Sequence, residues 1–120
     1  MPKNKFSIIY FSPTGNAKHL AELLAIQLGK ESVALYPLEF LAQNPYQNND
    51  HLILMYPIHG FNAPRIVRRY VDDLEPQKYN SISLLAVGCA DHWANSAVSF
   101  DLRRPLIRKG YEIIVDEVLA

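Results

Sequence analysis

The chain has 120 residues, enough for one globular domain with its own core, and we expect residues 1–120 to form a single domain. Its formal net charge is zero, which argues against a nucleic acid or a membrane surface as partner. A single cysteine, Cys89, excludes an internal disulfide framework and a cysteine-rich metal site. No apolar run is long enough for a signal peptide or a membrane span, so we expect a cytoplasmic protein.

Strand-like and helix-like segments alternate along the chain, as in an α/β domain with a parallel sheet and helices on both faces. Strands are predicted over residues 6–11, 32–38, 51–56, 82–87 and 111–118. Helices are predicted over residues 16–28, 63–74 and 95–109. Asn62 is the predicted N-cap of the second helix, Pro64 lies in its first turn, and Pro105 should bend or interrupt the third. The apolar stripe of the first helix begins at Ala17 and continues through Leu20 and Ala21.

The loop from Ser12 to Asn16 leads directly from the first strand into the first helix. The first N–H groups of a helix lack intrahelical partners, and together with the helix dipole they attract an anion. Ser12 and Thr14 add hydroxyl groups, Gly15 permits a close backbone approach, and Asn16 can cap the helix or donate its amide. The sequence therefore predicts an anion site, and a capped turn without a ligand is the alternative.

Two stretches resemble the flavodoxin family: IIYFSPTGNA at residues 8–17 resembles its phosphate loop, S/T-x-T-G-x-T, and YPIHGFNAPRIVRRY at residues 56–70 resembles the loop and helix after its third strand. This resemblance implies a flavodoxin-like three-layer sandwich with a five-stranded parallel sheet in the order 2-1-3-4-5. The closing C-terminal helix of the family is expected to be absent. The resemblance also implies flavin mononucleotide (FMN) as cofactor, with its phosphate held by Ser12, Thr14, Gly15, Asn16 and Ala17. Ala17 replaces the last hydroxyl of the pattern, which should weaken FMN binding.

The flat flavin ring needs stacking side chains, and the loops after the third and fourth strands supply aromatic residues. Trp93 is the first expected ring contact. The resemblance also implies that Gly60 lets a peptide turn towards the flavin N5 atom. Because imidazole titrates near physiological pH, His59 could donate a proton to the reduced ring. The residues expected near the ring are Pro57, His59, Gly60, Phe61 and Trp93, with Tyr56 and Ile58 beside them. No catalytic residue and no metal ligand is predicted.

The function predicted from these patterns is that of an FMN-binding redox protein, acting in electron transfer or as a small flavin reductase. Its partner would be a ferredoxin-type protein or a reductase. Two alternatives remain: a flavodoxin-like interaction or regulatory module that has lost FMN, and a small enzyme that uses the loop for another ligand. The basic groups near Arg68 and Arg104 are interpreted as solvated helix faces. The last strand should leave an apolar surface uncovered, which a homodimer would bury; its residues are Ile113, Ile114, Val115 and Val118.

Overall fold

A computed structural model describes residues 6–39, 51–57, 63–88 and 100–119. These residues form a five-stranded parallel sheet with the strand order β2-β1-β3-β4-β5. The predicted fold class and strand order are therefore confirmed. The strands are β1 (Phe6–Tyr10), β2 (Val33–Pro37), β3 (His51–Pro57), β4 (Ser81–Val87) and β5 (Glu112–Leu119), and the helices are α1 (Asn16–Leu28), α2 (Arg65–Asp73) and α3 (Phe100–Arg108), with a 3-10 turn at Lys30–Ser32.

The central strand β3 is apolar on both faces because helices cover both sides of it. Leu52 and Leu54 point towards the core beneath α2 and α3, whereas Ile53 and Met55 point towards the core beneath α1. Such continuous apolar strands are typical of parallel sheets with two covered faces. On α1, the buried residues are three alanines, Ala17, Ala21 and Ala25, and their small side chains allow the helix to lie close to the sheet.

The helix ends correct three sequence predictions. The N-cap of α1 is Gly15, at a φ of 92°, and Asn16 is already the first helical residue, so Asn16 does not cap the helix. Helix α2 begins directly after Pro64, so this proline lies at the N-cap position instead of inside the first turn. Asn62 lies outside the described residues. Helix α3 continues through Pro105 without interruption.

A Schellman motif ends α3 at Gly110, which has a φ of 89°. The N–H of Gly110 donates to the carbonyl of Ile107 at 3.0 Å, and the N–H of Tyr111 donates to that of Leu106 at 3.1 Å. These bonds satisfy two carbonyls that the helix end leaves free. Because Leu106 and Tyr111 share one core cluster, the motif also fixes how the chain enters β5.

Strand β5 lies at an edge of the sheet formed by the described residues, and its pairing with β4 contains a bulge near Ile114. Ile113 and Val118 pack against the core beneath α2 and α3, so the prediction that they are uncovered is wrong. Ile114 and Val115 are 56% and 37% exposed, as predicted. Among the described residues, no helix is long and apolar enough to cross a membrane.

Candidate functional site

Three strands end side by side at the carboxyl edge of the sheet. Tyr10 of β1 pairs with Met55 of β3, and Pro57 of β3 pairs with Val87 of β4. Helix α1 contributes to the core on one face of the sheet, and α2 contributes to the core on the other. Helices α1 and α2, which follow β1 and β3 in the chain, therefore lie on opposite faces of the sheet, and the strand order reverses between these two strands. This is the position where parallel α/β sheets bind ligands.

The first strand is extended by one further bond before the chain turns into the loop. The N–H of Phe11 donates to the carbonyl of Met55 at 3.0 Å. The next residue, Ser12, folds back over the start of α1, where its Oγ accepts a bond from the N–H of Lys18 at 2.9 Å. The Ser12 oxygen thus accepts a bond from one of the N–H groups that the helix start leaves without a partner. The hydroxyl proton of Ser12 remains available for a ligand.

Three backbone donors at the start of α1 are left for a ligand. The first helical bond joins the N–H of His19 to the carbonyl of Gly15 at 3.0 Å. The N–H groups of Gly15, Asn16 and Ala17 have no acceptor among the described residues. No acidic side chain lies in the first turn. The positive end of the helix dipole is therefore not offset locally, and the loop has the chemistry of an anion site.

The side chains of the loop divide between solvent and core. Thr14 and Asn16 are exposed, whereas Ala17 is only 2% exposed and packs in the core beneath α1. The side chain of residue 17 thus belongs to the apolar stripe of the helix, as the sequence predicted. A ligand at the loop would therefore contact the backbone N–H of Ala17, and the hydroxyl donors would be Ser12 and Thr14.

The predicted flavin-facing residues are described only in part. Pro57 is the last residue of β3 and is half-buried at the carboxyl edge. The expectation that Tyr56 stacks on a ligand is wrong, because Tyr56 is fully buried in the core beneath α2 and α3. The alternation of side chains along β3 places it on that face. Ile58, His59, Gly60, Phe61 and Trp93 lie outside the described residues.

A buried polar cluster beneath this edge was not expected from the sequence. The Tyr56 hydroxyl and both carboxylate oxygens of Asp101 are buried without a hydrogen-bond partner among the described residues. Burial raises the pKa of both groups, and the Arg68 guanidinium, 3.7 Å from the Asp101 carboxylate, opposes the shift at Asp101. The cluster joins β3, α2 and α3, and no local motif in the sequence brings these distant positions together. The described residues contain no group of side chains suited to a metal ion.

Solved structures of flavodoxins are similar to this chain. A Fusobacterium nucleatum flavodoxin bound to FMN matches at a TM-score of 0.72 and 13% identity, over 95% of this chain and 76% of that one. A variant of that flavodoxin, also bound to FMN, matches at a TM-score of 0.68 and 16% identity. The match covers 91% of this chain and 66% of that one. Oxidised flavodoxin 2 from Bacillus cereus matches at a TM-score of 0.66 and 20% identity. The match covers 96% of this chain and 82% of that one. The chain therefore has a flavodoxin-like fold.

A larger protein also matches. The chain is similar to rubredoxin oxygen:oxidoreductase from Desulfovibrio gigas at a TM-score of 0.66 and 18% identity, over 99% of this chain. It spans 32% of that protein, so the likeness is to one part of a longer chain. No protein-family model matches the sequence, and no match was found among curated protein sequences. At these sequence identities the similarity supports the fold alone, and evidence about the site comes from the residues of this chain.

Proposed function

We propose that the protein binds FMN and acts as a redox protein, in electron transfer or as a small flavin reductase. The observation that carries this proposal is that the N–H groups of Gly15, Asn16 and Ala17, at the carboxyl end of β1 beside β3, have no acceptor in the described part of the chain. These donors and the start of α1 form a phosphate site without needing a basic side chain. The two FMN-bound flavodoxin structures share this fold and support a flavin as the phosphate-bearing ligand.

The residues of the chain would bind and orient the cofactor, and the flavin itself would carry the electrons. The backbone of residues 15–17 would hold the phosphate with Ser12 and Thr14. The positive φ of Gly15 turns the backbone into the helix, a conformation that an L side chain rarely adopts. The ring would lie over the loops that follow Pro57 and Val87, against His59, Gly60, Phe61 and Trp93.

Two kinds of partner belong to this proposal. A flavin protein of this kind would exchange electrons with a ferredoxin-type protein or a reductase. In addition, the exposed apolar part of β5 would contact a second copy of the chain. Ile114 and Val115 support this second contact, because both are β-branched apolar side chains exposed at a sheet edge.

FMN binding is tested by the visible spectrum of the purified protein and by titration of added FMN, whose fluorescence is quenched on binding. Thr14→Glu places a carboxylate at the phosphate loop. We expect at least about tenfold weaker binding, since one hydrogen bond to a charged group contributes about 1.5–3 kcal/mol. Gln27→Glu is the control, because it adds the same charge to an exposed position near the other end of the same helix. Equal affinities for the two variants would contradict the assignment of the loop.

A second candidate function is an interaction or regulatory module that has lost FMN. The observation in its favour is Ala17. The flavodoxin phosphate loop has a hydroxyl side chain at this position, whereas the side chain of Ala17 has none and is buried. This candidate would be favoured if the purified protein is colourless and does not quench FMN fluorescence even at a high protein concentration. The same result would contradict the first candidate.

A further inference from the structure

The arginines of this chain are confined to two neighbouring helices. All six lie in α2 or α3, whereas the six lysines lie outside these helices. Helices α2 and α3 pack beside each other on one face of the sheet. All six arginines are exposed, and we call this surface the arginine face; its members are Arg65, Arg68, Arg69, Arg103, Arg104 and Arg108.

The order of charges along α2 is unfavourable for the helix itself. Arg65 is the first helical residue, and Asp72 and Asp73 are the last two. Cations at the N-terminus and anions at the C-terminus oppose the helix dipole, typically by about 0.3–1 kcal/mol each. Arg65 and Arg69 are also one turn apart, where like charges repel. Helix α3 has the opposite, favourable order, with Asp101 in its first turn and Arg108 in its last. Helix stability therefore does not explain Arg65, whereas Arg68 and Arg69 stand four residues before Asp72 and Asp73, where opposite charges attract.

Within the described ranges, the ion pairs of Arg68 and Arg103 leave most donors of these two guanidinium groups without a close acceptor. Arg68 Nε lies 3.7 Å from Asp101 Oδ2, and Arg103 Nε lies 3.3 Å from Asp116 Oδ2. Both distances exceed the 2.7–2.9 Å or so of a charge-assisted hydrogen bond. The Arg68 and Arg103 side chains remain 45% and 50% exposed. Neither pair is a close bidentate contact, so both guanidinium groups retain donors for an external carboxylate.

We propose that the arginine face binds the acidic surface of a partner protein, through carboxylates inserted between α2 and α3. Guanidinium groups suit this role because their planar donors match a carboxylate in bidentate fashion. The groove where α2 meets the start of α3 is lined by the arginines of α2 and by acidic side chains, Asp72, Asp73 and Asp101, whereas the arginines of α3 do not line it. The acidic side chains would repel the closely spaced phosphates of a nucleic acid, whereas single carboxylates of a folded protein can reach the arginines between them. The net charge of zero supports the same choice.

This inference does not depend on the proposed FMN binding, and it is tested with flavin-free protein. The probe is a fluorescein-labelled glutamate–glycine copolymer, whose carboxylates are separated along the chain, followed by fluorescence anisotropy. Arg65→Glu combined with Arg69→Glu should weaken binding on the order of tenfold, since exposed ion pairs contribute up to about 1 kcal/mol each. Gln27→Glu combined with Lys30→Glu adds negative charge at exposed positions off the arginine face and should leave binding nearly unchanged. Equal losses in both double variants, or no binding by the wild type, would overturn the proposal.

Two further measurements separate this proposal from its alternatives. Arg65→Lys combined with Arg69→Lys keeps the charge but removes the planar donors, and should still weaken binding several-fold. Unchanged binding by this variant would overturn carboxylate recognition by guanidinium groups. Labelled oligothymidylate of equal charge should bind more weakly than the glutamate–glycine copolymer, and equal or tighter binding would assign the surface to nucleic acid instead. The carboxylate introduced by Arg65→Glu complements the helix dipole, whereas the one introduced by Arg69→Glu lies within one turn of Asp72 and Asp73 and repels them, so circular dichroism of the double variant accompanies the binding measurement.

Discussion

His51 is a half-buried histidine whose two ring nitrogens both contact serine hydroxyls. Nδ1 lies 2.6 Å from Ser81 Oγ, and Nε2 lies 2.6 Å from Ser83 Oγ. The edge of the Phe6 ring contacts the imidazole at 6.1 Å between centroids. Because burial disfavours the imidazolium ion, the pKa of His51 is lowered from its ordinary value of 6.5.

This lowered pKa predicts that acid destabilises the protein through His51. Below about pH 6.5 the unfolded chain takes up a proton that the folded protein binds less readily, so folding becomes less favourable as pH falls. His51→Gln cannot titrate. We expect the difference in unfolding free energy between wild type and this variant to shrink from about pH 7.5 to about pH 5. Urea denaturation at several pH values measures it.

The control for this prediction is His19→Gln, which removes an exposed histidine from α1. If the difference between wild type and His51→Gln stays constant over the same pH range, the role of His51 is contradicted. The sequence already contained a signal for this cluster, because two serines, Ser81 and Ser83, stand on one face of an otherwise apolar strand. It could not show that the histidine at the start of β3 would bond both.

At the scale of the elements, Tyr111 joins the chain before β5 to the connection between α2 and β4. Its hydroxyl accepts a bond from the N–H of Lys78 at 3.1 Å and donates to the carbonyl of Glu75. Lys109 strengthens the same junction, since its Nζ donates to the carbonyls of Val71 and Asp72 at the end of α2. One turn of chain after α3 thus holds the end of α2 in place.

We predict opposite results for two buried tyrosines. Tyr111→Phe should lower the unfolding free energy by about 1–3 kcal/mol, because it leaves two backbone groups without their partner. Tyr56→Phe is the matched control: it removes a buried hydroxyl without a partner among the described residues and should leave stability unchanged or raise it by about 1 kcal/mol. Urea denaturation measures both, with unchanged slope m confirming a comparable unfolded state. A larger loss for Tyr56→Phe would contradict this assignment.

The order and type of the elements could be predicted from the sequence because each segment has a clear apolar period. Helix α1 has the predicted bounds, and all five strands lie where the pattern indicated. The helix starts were less predictable, because Gly15 is the N-cap of α1 and the oxygen that accepts a bond from its first turn comes from Ser12, not from Asn16. The prediction that Tyr56 lies near the flavin ring was also wrong. The sequence of an apolar strand does not show on which face of the sheet its last aromatic side chain lies.

The part of the candidate site that could be predicted is the loop after β1, because it is one continuous stretch of the sequence. Ser12, Thr14 and Gly15 follow β1 directly, so the position of the loop at the carboxyl edge follows from the strand order alone. The groove of the arginine face was not predictable in this way. It joins Arg68 of α2 to Asp101 of α3, and their contact depends on the packing of two helices that are distant in the sequence.

At the scale of the whole molecule, the arginines and the exposed apolar residues of β5 lie on different parts of the domain. The arginine face covers the helices on one side of the sheet. On the other side α1 lies over β1, β2 and β3, and the exposed apolar residues of β5 lie beyond it. The bulge at Ile114 twists this edge, which disfavours strand-to-strand pairing and leaves the side chains to make the contact. Association through β5 should therefore depend on apolar burial, and docking on the arginine face should depend on charge.

This distinction gives a prediction for the proposed contact between two copies of the chain. Sedimentation velocity should show concentration-dependent self-association that persists at high salt, where ionic contacts are screened. Ile114→Lys should abolish it, because a charge at this exposed position opposes apolar burial. Ile26→Lys on α1 adds the same charge at a side chain 54% exposed and should leave self-association unchanged. Association that weakens with salt would instead place the contact on the arginine face, since apolar contacts are not screened by salt whereas exposed ion pairs are.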